Sequence, residues 1–170
     1  MTLPGIHQLE STPEILRLLM QGITAQQTVW KPAPDRWSLA EILEHLSHVE
    51  GHYFRAAAEA LVTHPDPEIA PYNQNAYALE GTYSGREPED SFDHFEEQRE
   101  DNIAFLNGLP LQAADRAGRH PELGTVTLSN ILNEWAFHDL GHIRQIAELV
   151  RAIRYYHELG PFQSQYRIQA

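Results

Sequence analysis

The segment from Leu128 to Ile153 constrains the fold more than any other part of the chain. It contains no proline and a single glycine, Gly141, so it can form one long helix. At about 100° per residue, its apolar residues fall on one stripe of that helix. The stripe comprises Leu128, Ile131, Leu132, Trp135, Ile146, Leu149, Val150 and Ile153. A helix with such a stripe must pack it against other elements of the protein.

Two histidines lie within this apolar stripe. His138 and His142 are one turn apart, so both imidazoles point to the same side of the helix and can share one metal ion. A single histidine on an apolar face is more often a hydrogen-bonded core residue. Burying two imidazoles without a shared partner is costly, however, which favours a common ligand. An H-x3-H pair still needs a third ligand before it indicates a metal site.

The composition narrows the chemistry. The chain has no cysteine, which excludes disulfides, thiolate ligands and a cysteine nucleophile. A metal would have to be bound by His, Asp or Glu, which favours zinc or nickel, with iron and manganese as alternatives. The formal charge of −12 argues against a nucleic-acid partner, because phosphate binding depends on Lys and Arg.

The hydropathy pattern indicates the class of protein. No apolar run approaches the roughly 20 residues of a membrane span. The N-terminus, MTLPGIHQLE, lacks the basic and apolar regions of a signal peptide. We therefore expect a cytoplasmic protein with no membrane partner. Its substrate is expected to be a small molecule.

Capping signals and proline positions predict an all-α, four-helix bundle that forms a single domain over residues 1–170. Capping-box spacing places one helix start at Ser11 with Glu14 and another at Ser38 with Glu41, and Pro88 suits the first turn of a third helix. The four helices are expected, to within about ±2–4 residues, over 12–28, 38–62, 88–107 and 128–154.

The connections between these helices are predicted from their proline and glycine residues. A long crossover joins helices two and three, with a short helical turn near Ala76. Residues 109–126 are interrupted by Pro110, Pro121 and Gly124 and are predicted to be irregular. The tail from about residue 155 is rich in aromatic residues, so we expect it to pack against the body of the domain.

Helix two supplies a candidate for the third ligand. Its apolar stripe comprises Leu39, Ile42, Leu43, Leu46, Val49 and Tyr53. His45 lies about 100° from the centre of this stripe, and His48 and His52 lie farther round the helix. His45 is therefore the histidine best able to turn inward, and the other two are expected to face solvent. Three histidines with open coordination positions are typical of a catalytic metal site, because a structural zinc site is closed by a fourth protein ligand.

Two motifs resemble those of the DinB/YfiT-like family. The first is W-S-x-x-E-x-x-x-H-L, which starts at Trp37 and contains His45. The second is H-x-x-x-H-x-x-Q, formed by His138, His142 and Gln145. The resemblance implies a four-helix bundle, a homodimer and a divalent-metal site with His45, His138 and His142 as ligands.

One position departs from the family pattern. Members often have Asp three residues after the first ligand, whereas this chain has His48. This histidine either takes another role or marks the loss of the function that the Asp serves.

Three functions follow from the pattern and the resemblance. Because similar proteins include transferases that use low-molecular-weight thiols, the first hypothesis is a thiol-dependent S-transferase that activates bacillithiol or mycothiol on the metal. The second is a metal-dependent hydrolase that uses metal-bound hydroxide, with Glu134, one turn before His138, as general base or partner of a ligand. The third is a non-catalytic module that binds a metal or a small ligand.

Two further polar residues have open roles. Arg99 interrupts the apolar face of helix three, where it would bind an anionic substrate or form a salt bridge at the rim. Gln145 is either an ordinary polar residue of the helix or a hydrogen-bond partner within the site.

Overall fold

Four long helices form a bundle in the computed structural model, which describes residues 2–72 and 87–168. A π-helical segment, Glu50–Arg55, joins α3 and α4 into one continuous helix, and short 3-10 segments follow α5 and α6. The helices are α1 Ile6–Met20, α2 Ala25–Thr28, α3 Leu39–Val49, α4 Ala56–Thr63, α5 Pro88–Asn107 and α6 Leu128–Tyr155. The four-helix bundle predicted from the sequence is confirmed. The helical turn predicted near Ala76 lies outside the described residues.

Local signals set the starts of three helices, and those at Ser38 and Pro88 are the ones predicted from the sequence. At α3, the Ser38 Oγ accepts from the Glu41 backbone N–H at 3.3 Å, and the Glu41 carboxylate accepts from the Ser38 N–H at 2.8 Å. Thr127 and Asn130 form the same reciprocal pair at the start of α6. Pro88 occupies the first turn of α5, where its missing N–H costs nothing.

The predicted start of the first helix was wrong. The helix begins at Ile6 rather than at Ser11, and the Ser11 hydroxyl donates instead to the carbonyl of His7 at 2.7 Å. Burial of Ile6 and Leu9 outweighs the local capping signal, because these residues extend the apolar face towards α6. Gly5 allows this close approach, since a Cβ at its position would lie 2.6 Å from the Leu132 carbonyl oxygen.

The same helix also ends earlier than predicted. It stops at Met20, Gly22 follows with a left-handed φ of 79°, and α2 starts anew with a capping box between Thr24 and Gln27. The predicted span 12–28 therefore contains two helices.

The π-helical turn changes which residue of the second long helix enters the core. An α-helical period predicts Tyr53 in the core stripe, but Phe54 is buried, at 1% exposed, and Tyr53 is half-buried. One extra residue in the turn rotates all later side chains by about 100°. This rotation moves Phe54 against Trp135, with ring centroids 4.9 Å apart, and leaves Tyr53 at the edge of the bundle.

Residues 109–126 are more regular than predicted. Strands β1 (Ala117–His120) and β2 (Gly124–Thr127) pair antiparallel as a hairpin that leads into α6. The hairpin is tied to the loop after α4, because the Arg119 N–H donates to the Pro67 carbonyl and the Ile69 N–H donates to the Arg119 carbonyl, both at 2.8 Å. These tertiary bonds form the strands although the segment lacks a long apolar alternation.

The C-terminal tail packs only in part. It forms a 3-10 segment, Tyr156–Gln165, after α6, and Ile168 packs against the core. Phe162 and Tyr166 remain largely exposed, contrary to the expectation that the aromatic residues would be covered. None of the helices in the described part of the chain combines the length and the apolar character needed to cross a membrane.

Candidate metal centre

Three imidazoles from two helices meet in the bundle. His45 lies on α3, and His138 and His142 lie one turn apart on α6. The Nε2 atom of His138 is 3.0 Å from that of His45 and 3.2 Å from that of His142. The structure thus brings together the three histidines that the sequence predicted as ligands.

The outer nitrogens of two rings have hydrogen-bond partners that orient them. The Nδ1 of His142 is 3.1 Å from the amide oxygen of Gln145, which can only accept, so this nitrogen carries the proton and Nε2 keeps its lone pair. The Nδ1 of His45 is 3.3 Å from the hydroxyl oxygen of Tyr72. Such partners fix the tautomer and orientation of metal-binding histidines. Gln145 is therefore a hydrogen-bond partner within the site.

Aromatic rings surround the three imidazoles. Trp37 lies edge-on to His45 at 5.1 Å and stacks over His142 at 6.4 Å between centroids. Phe54, placed by the π-helical turn, meets His138 edge-on at 5.3 Å. These aromatic rings help to bury the imidazoles, and burial favours their uncharged form.

All three imidazoles are held neutral. Burial, reinforced by its histidine neighbours, lowers the pKa of His45 to about 2. Burial and the charge interactions with His142 and Arg99 lower the pKa of His138 to about 3. Burial also lowers the pKa of His142, partly offset by Gln145 and Asp139. Near neutral pH each ring is therefore uncharged and has one protonated nitrogen and one nitrogen with a free lone pair.

This arrangement fits a divalent metal ion. With the outer nitrogens protonated, as Gln145 indicates for His142, the rings turn their lone pairs towards one another, and a cation between them would remove the repulsion of these lone pairs. Two nitrogens bound to one tetrahedral zinc ion are about 3.4 Å apart, close to the observed separations. All three ligand atoms lie within 4.8 Å of one another. The donor set of three neutral imidazoles suits zinc or nickel.

Glu134, the predicted general base, lies at the edge of the bundle one turn before His138 on α6. Its carboxylate accepts a hydrogen bond from the Tyr53 hydroxyl at 3.3 Å. Burial and the adjacent Glu134 raise the pKa of Tyr53 to about 12, so the phenol stays protonated and can donate to the carboxylate. Tyr53 and Tyr72, whose rings are 5.5 Å apart, connect Glu134 to His45.

The other two histidines of the second long helix lie outside the three-imidazole cluster. His48 is half-buried and stacks on the exposed His52, with centroids 4.2 Å apart. His48 is also 6.5 Å from the ring of Tyr72. His52 faces solvent as predicted, whereas His48 is more buried than predicted and borders the tyrosine that contacts His45.

Arg99 occupies neither of the roles predicted for it. It is 2% exposed and forms ion pairs with Glu50 at 2.6 Å and Asp139 at 2.7 Å in the bundle core. Burial alone would lower the pKa of Arg99, but the two carboxylates outweigh it and raise the pKa. Arg99 is thus part of a buried ion cluster rather than of an anion site or a rim salt bridge.

Some residues around the site were missed from the sequence. Tyr72 lies in the proline-rich loop after α4, and Glu50 and Asp139 read as ordinary polar residues of helix surfaces. Only Asp139 could have been linked to the site from the sequence, because it directly follows the first histidine of the H-x3-H pair. The contacts of Asp139 and Glu50 with Arg99 could not be predicted, because these residues are 40 and 49 positions from Arg99 in the chain.

Comparison with known proteins agrees with this geometry. The family model described as DinB superfamily matches residues 8–146. A protein of Bacillus subtilis (strain 168) named "Putative metal-dependent hydrolase YfiT" is 28% identical over 149 residues, which cover 86% of this chain and 82% of that protein. A protein of Oceanobacillus iheyensis named "Putative metal-dependent hydrolase OB0782" is 24% identical over 149 residues, which cover 86% of this chain and 84% of that protein.

A solved structure matches the fold as well. It is that of YfiT from Bacillus subtilis, described as a probable metal-dependent hydrolase with an unusual four-helix bundle topology. The match has a TM-score of 0.75 and 26% sequence identity, and it covers 88% of this chain and 85% of that chain.

Proposed function

The chain belongs to the DinB superfamily, and we propose that it is a metal-dependent hydrolase whose divalent ion is bound by His45, His138 and His142. The observation that carries the proposal is the convergence of three neutral imidazole nitrogens in the bundle. Three protein ligands leave coordination positions for water and substrate, which is the arrangement of catalytic rather than structural zinc sites. The names of the relatives in both organisms support hydrolysis ahead of thiol transfer.

The protein's own residues divide the work of such a site. When bound, a divalent ion on three imidazoles lowers the pKa of a coordinated water towards about 7 and polarises an acyl or phosphoryl oxygen. Gln145 and Tyr72 hold the imidazoles in orientation through their outer nitrogens. Glu134 would receive the proton of the attacking water, and the hydrogen bond from Tyr53 would orient that carboxylate.

Thiol transfer is the second candidate function. One observation favours it. Glu134 is exposed and already accepts a hydrogen bond from Tyr53, and thiol transfer does not need a general base at this position. The nucleophile would come from a thiol cofactor such as bacillithiol or mycothiol, since the chain contains no cysteine. A metal ion stabilises a thiolate directly, which removes the need for a general base.

Two substitutions test the proposal. Replacing His142 by Ala is expected to remove bound metal and activity together, because two imidazoles bind a divalent ion much less tightly than three. Glu134→Gln is expected to keep the metal but lower the rate of hydrolysis by about 10²–10⁴-fold if Glu134 is the base. Glu14→Gln on the exposed face of α1 is the matched control and should change neither quantity.

The assay measures bound metal and turnover of chromogenic esters, amides and phosphate esters. Parallel reactions contain a chromogenic aryl halide with and without a small thiol. Turnover only in the presence of thiol, with Glu134→Gln nearly as active as the parent, would replace hydrolysis by thiol transfer. Full activity in metal-free His142→Ala would contradict both enzyme mechanisms, and tight metal binding without any turnover would favour a binding module.

A further inference from the structure

A single buried guanidinium connects the helices that carry the three histidines. Arg99 on α5 donates to Glu50 through Nε at 2.6 Å and Nη2 at 2.8 Å. It donates to Asp139 through Nη1 at 2.7 Å and Nη2 at 3.2 Å. Glu50 follows α3, which carries His45, and Asp139 is the neighbour of His138 on α6. The distance between the two histidine-bearing helices is therefore spanned by one rigid, planar group.

Arg99 also reaches the first helix, through a carbonyl that proline has left without a partner. Within α1, the carbonyl of Leu9 would normally accept from the N–H of residue 13, but Pro13 has none. The Arg99 Nη1 donates to the Leu9 oxygen at 2.9 Å instead. With this bond, all five N–H donors of the guanidinium are used.

The carboxylates of the cluster are fully hydrogen-bonded. Asn102 Nδ2 donates to Glu50 Oε1 at 3.0 Å, and Trp135 Nε1 donates to Glu50 Oε2 at 3.1 Å, beside the bonds from Arg99. All four carboxylate oxygens thus accept from N–H groups, which indicates that both acids are ionised. Two carboxylates and one guanidinium have a formal sum of one negative charge, buried beside the three imidazoles.

We propose that this cluster of Arg99, Glu50 and Asp139 positions the metal ligands, holding α3 and α6 at the spacing that three converging imidazoles need and adding a buried negative charge next to the cation. The proposal rests on the proposed metal site. These are positioning residues, because they act on His45, His138 and His142 through the helices rather than by contact with the ion. The positive charge of Arg99 contributes to the lowered pKa of His138, and the negative charge of Asp139 partly offsets the lowering of the His142 pKa.

Two substitutions in the cluster separate positioning from simple stabilisation. Asp139→Asn keeps the size of the side chain but removes its charge and one acceptor, and Arg99→Lys keeps the charge but loses the planar fork. The control is Leu61→Ala, which makes a cavity in the core beside Gly118 of the hairpin and changes no charged side chain or hydrogen-bonding group of the cluster. All proteins are studied well below their melting temperatures, with circular dichroism to verify folding.

The measurement is titration of the metal-free proteins with Co²⁺ in competition with a chelator, together with the visible absorption bands of the bound ion. We expect each cluster variant to bind Co²⁺ about 10- to 100-fold more weakly than the parent, with shifted band positions. Leu61→Ala should bind within about twofold of the parent, although it melts at a lower temperature. If one of the two cluster variants fails to fold, the Co²⁺ affinity of the other still tests the positioning role.

The outcomes distinguish this inference from the proposed function. Equal Co²⁺ affinity and identical bands in the parent and in the folded cluster variants would overturn the positioning role and leave the metal site intact. A loss in Leu61→Ala as large as that in the cluster variants would show a general effect of stability and would also overturn it. A parent protein that does not bind Co²⁺ at all would overturn the metal site and this inference together.

Discussion

Mild acid is expected to destabilise the metal-free protein through the buried imidazole of His45 and the half-buried imidazoles of His138 and His142. The pKa of His45 is lowered to about 2 and that of His138 to about 3 in the folded chain, whereas an exposed histidine has a pKa of about 6.5. Between these values the unfolded chain binds protons that the folded chain does not. Stability is therefore complete above about pH 6.5 and falls as the pH is lowered below it.

The magnitude follows from proton linkage. Acidification from about pH 7.5 to about pH 5.5 costs about 1.4 kcal/mol of unfolding free energy for each imidazole that stays neutral in the folded state. His45 and His138 together contribute about 3 kcal/mol, and His142, whose pKa is lowered too, adds to this loss. Most carboxyl groups titrate at lower pH, so the window isolates the histidines.

Urea unfolding with a chelator present measures this effect at both pH values. His45→Asn should reduce the pH-dependent loss by about 1.4 kcal/mol, because one neutral imidazole is gone. His52→Asn removes an exposed histidine from the same helix and is the control. A parent protein equally stable at both pH values, or a His45→Asn variant with the full pH-dependent loss, would refute the cluster of neutral imidazoles.

Three further predictions follow from the fold. Phe54→Ala should cost about 3–5 kcal/mol of unfolding free energy in urea, whereas Tyr53→Ala should cost less, because the π-helical turn buries only Phe54; equal costs would contradict that register. Ser38→Ala should lower stability by about 1 kcal/mol through loss of the α3 cap, measured in the same way, and no loss would mean that the cap is dispensable. We expect light scattering to give a homodimer mass, because Phe137 and Leu140 are 78% and 50% exposed on the outer face of α6, and a monomer at micromolar concentration would speak against it.

The helices with strong local signals were predictable from the sequence. Predicted spans 88–107 and 128–154 correspond to α5, Pro88–Asn107, and α6, Leu128–Tyr155. In both cases a residue at the start, Pro88 or the capping Thr127, coincides with the beginning of an apolar periodicity. The three converging histidines were also predictable. His138 and His142 lie within the apolar stripe of α6, and His45 lies beside the apolar stripe of α3.

The features that depend on tertiary contacts were not predictable. The π-helical turn at Glu50–Arg55 has no local sequence signal, so a regular period placed Tyr53 rather than Phe54 in the core. Burial of Ile6 extended α1 towards the N-terminus, beyond the cap predicted at Ser11. Backbone hydrogen bonds to the loop that contains Pro67 stabilise the hairpin. In each case the contact that decides the structure comes from a distant part of the chain.

The buried ion cluster escaped prediction for a related reason. Charged residues such as Arg99, Glu50 and Asp139 are almost always solvated, and only mutual pairing makes their burial tolerable. The pairing is visible only when three helices have been assembled. Pro13 lies inside α1 and frees the Leu9 carbonyl for Arg99, whereas the predicted helix start at Ser11 would have placed it in the first turn.

Anomalous diffraction from crystals of the metal-loaded protein tests the central claim most directly. Data recorded at the absorption edge of the bound zinc or nickel should show one strong peak per chain. We predict that it lies about 2.0–2.2 Å from the Nε2 atoms of His45, His138 and His142, with at least one further position open to water. A peak elsewhere, for example among the acidic residues between α1 and α5, or one bound by only a single member of the three, would contradict the proposed metal centre.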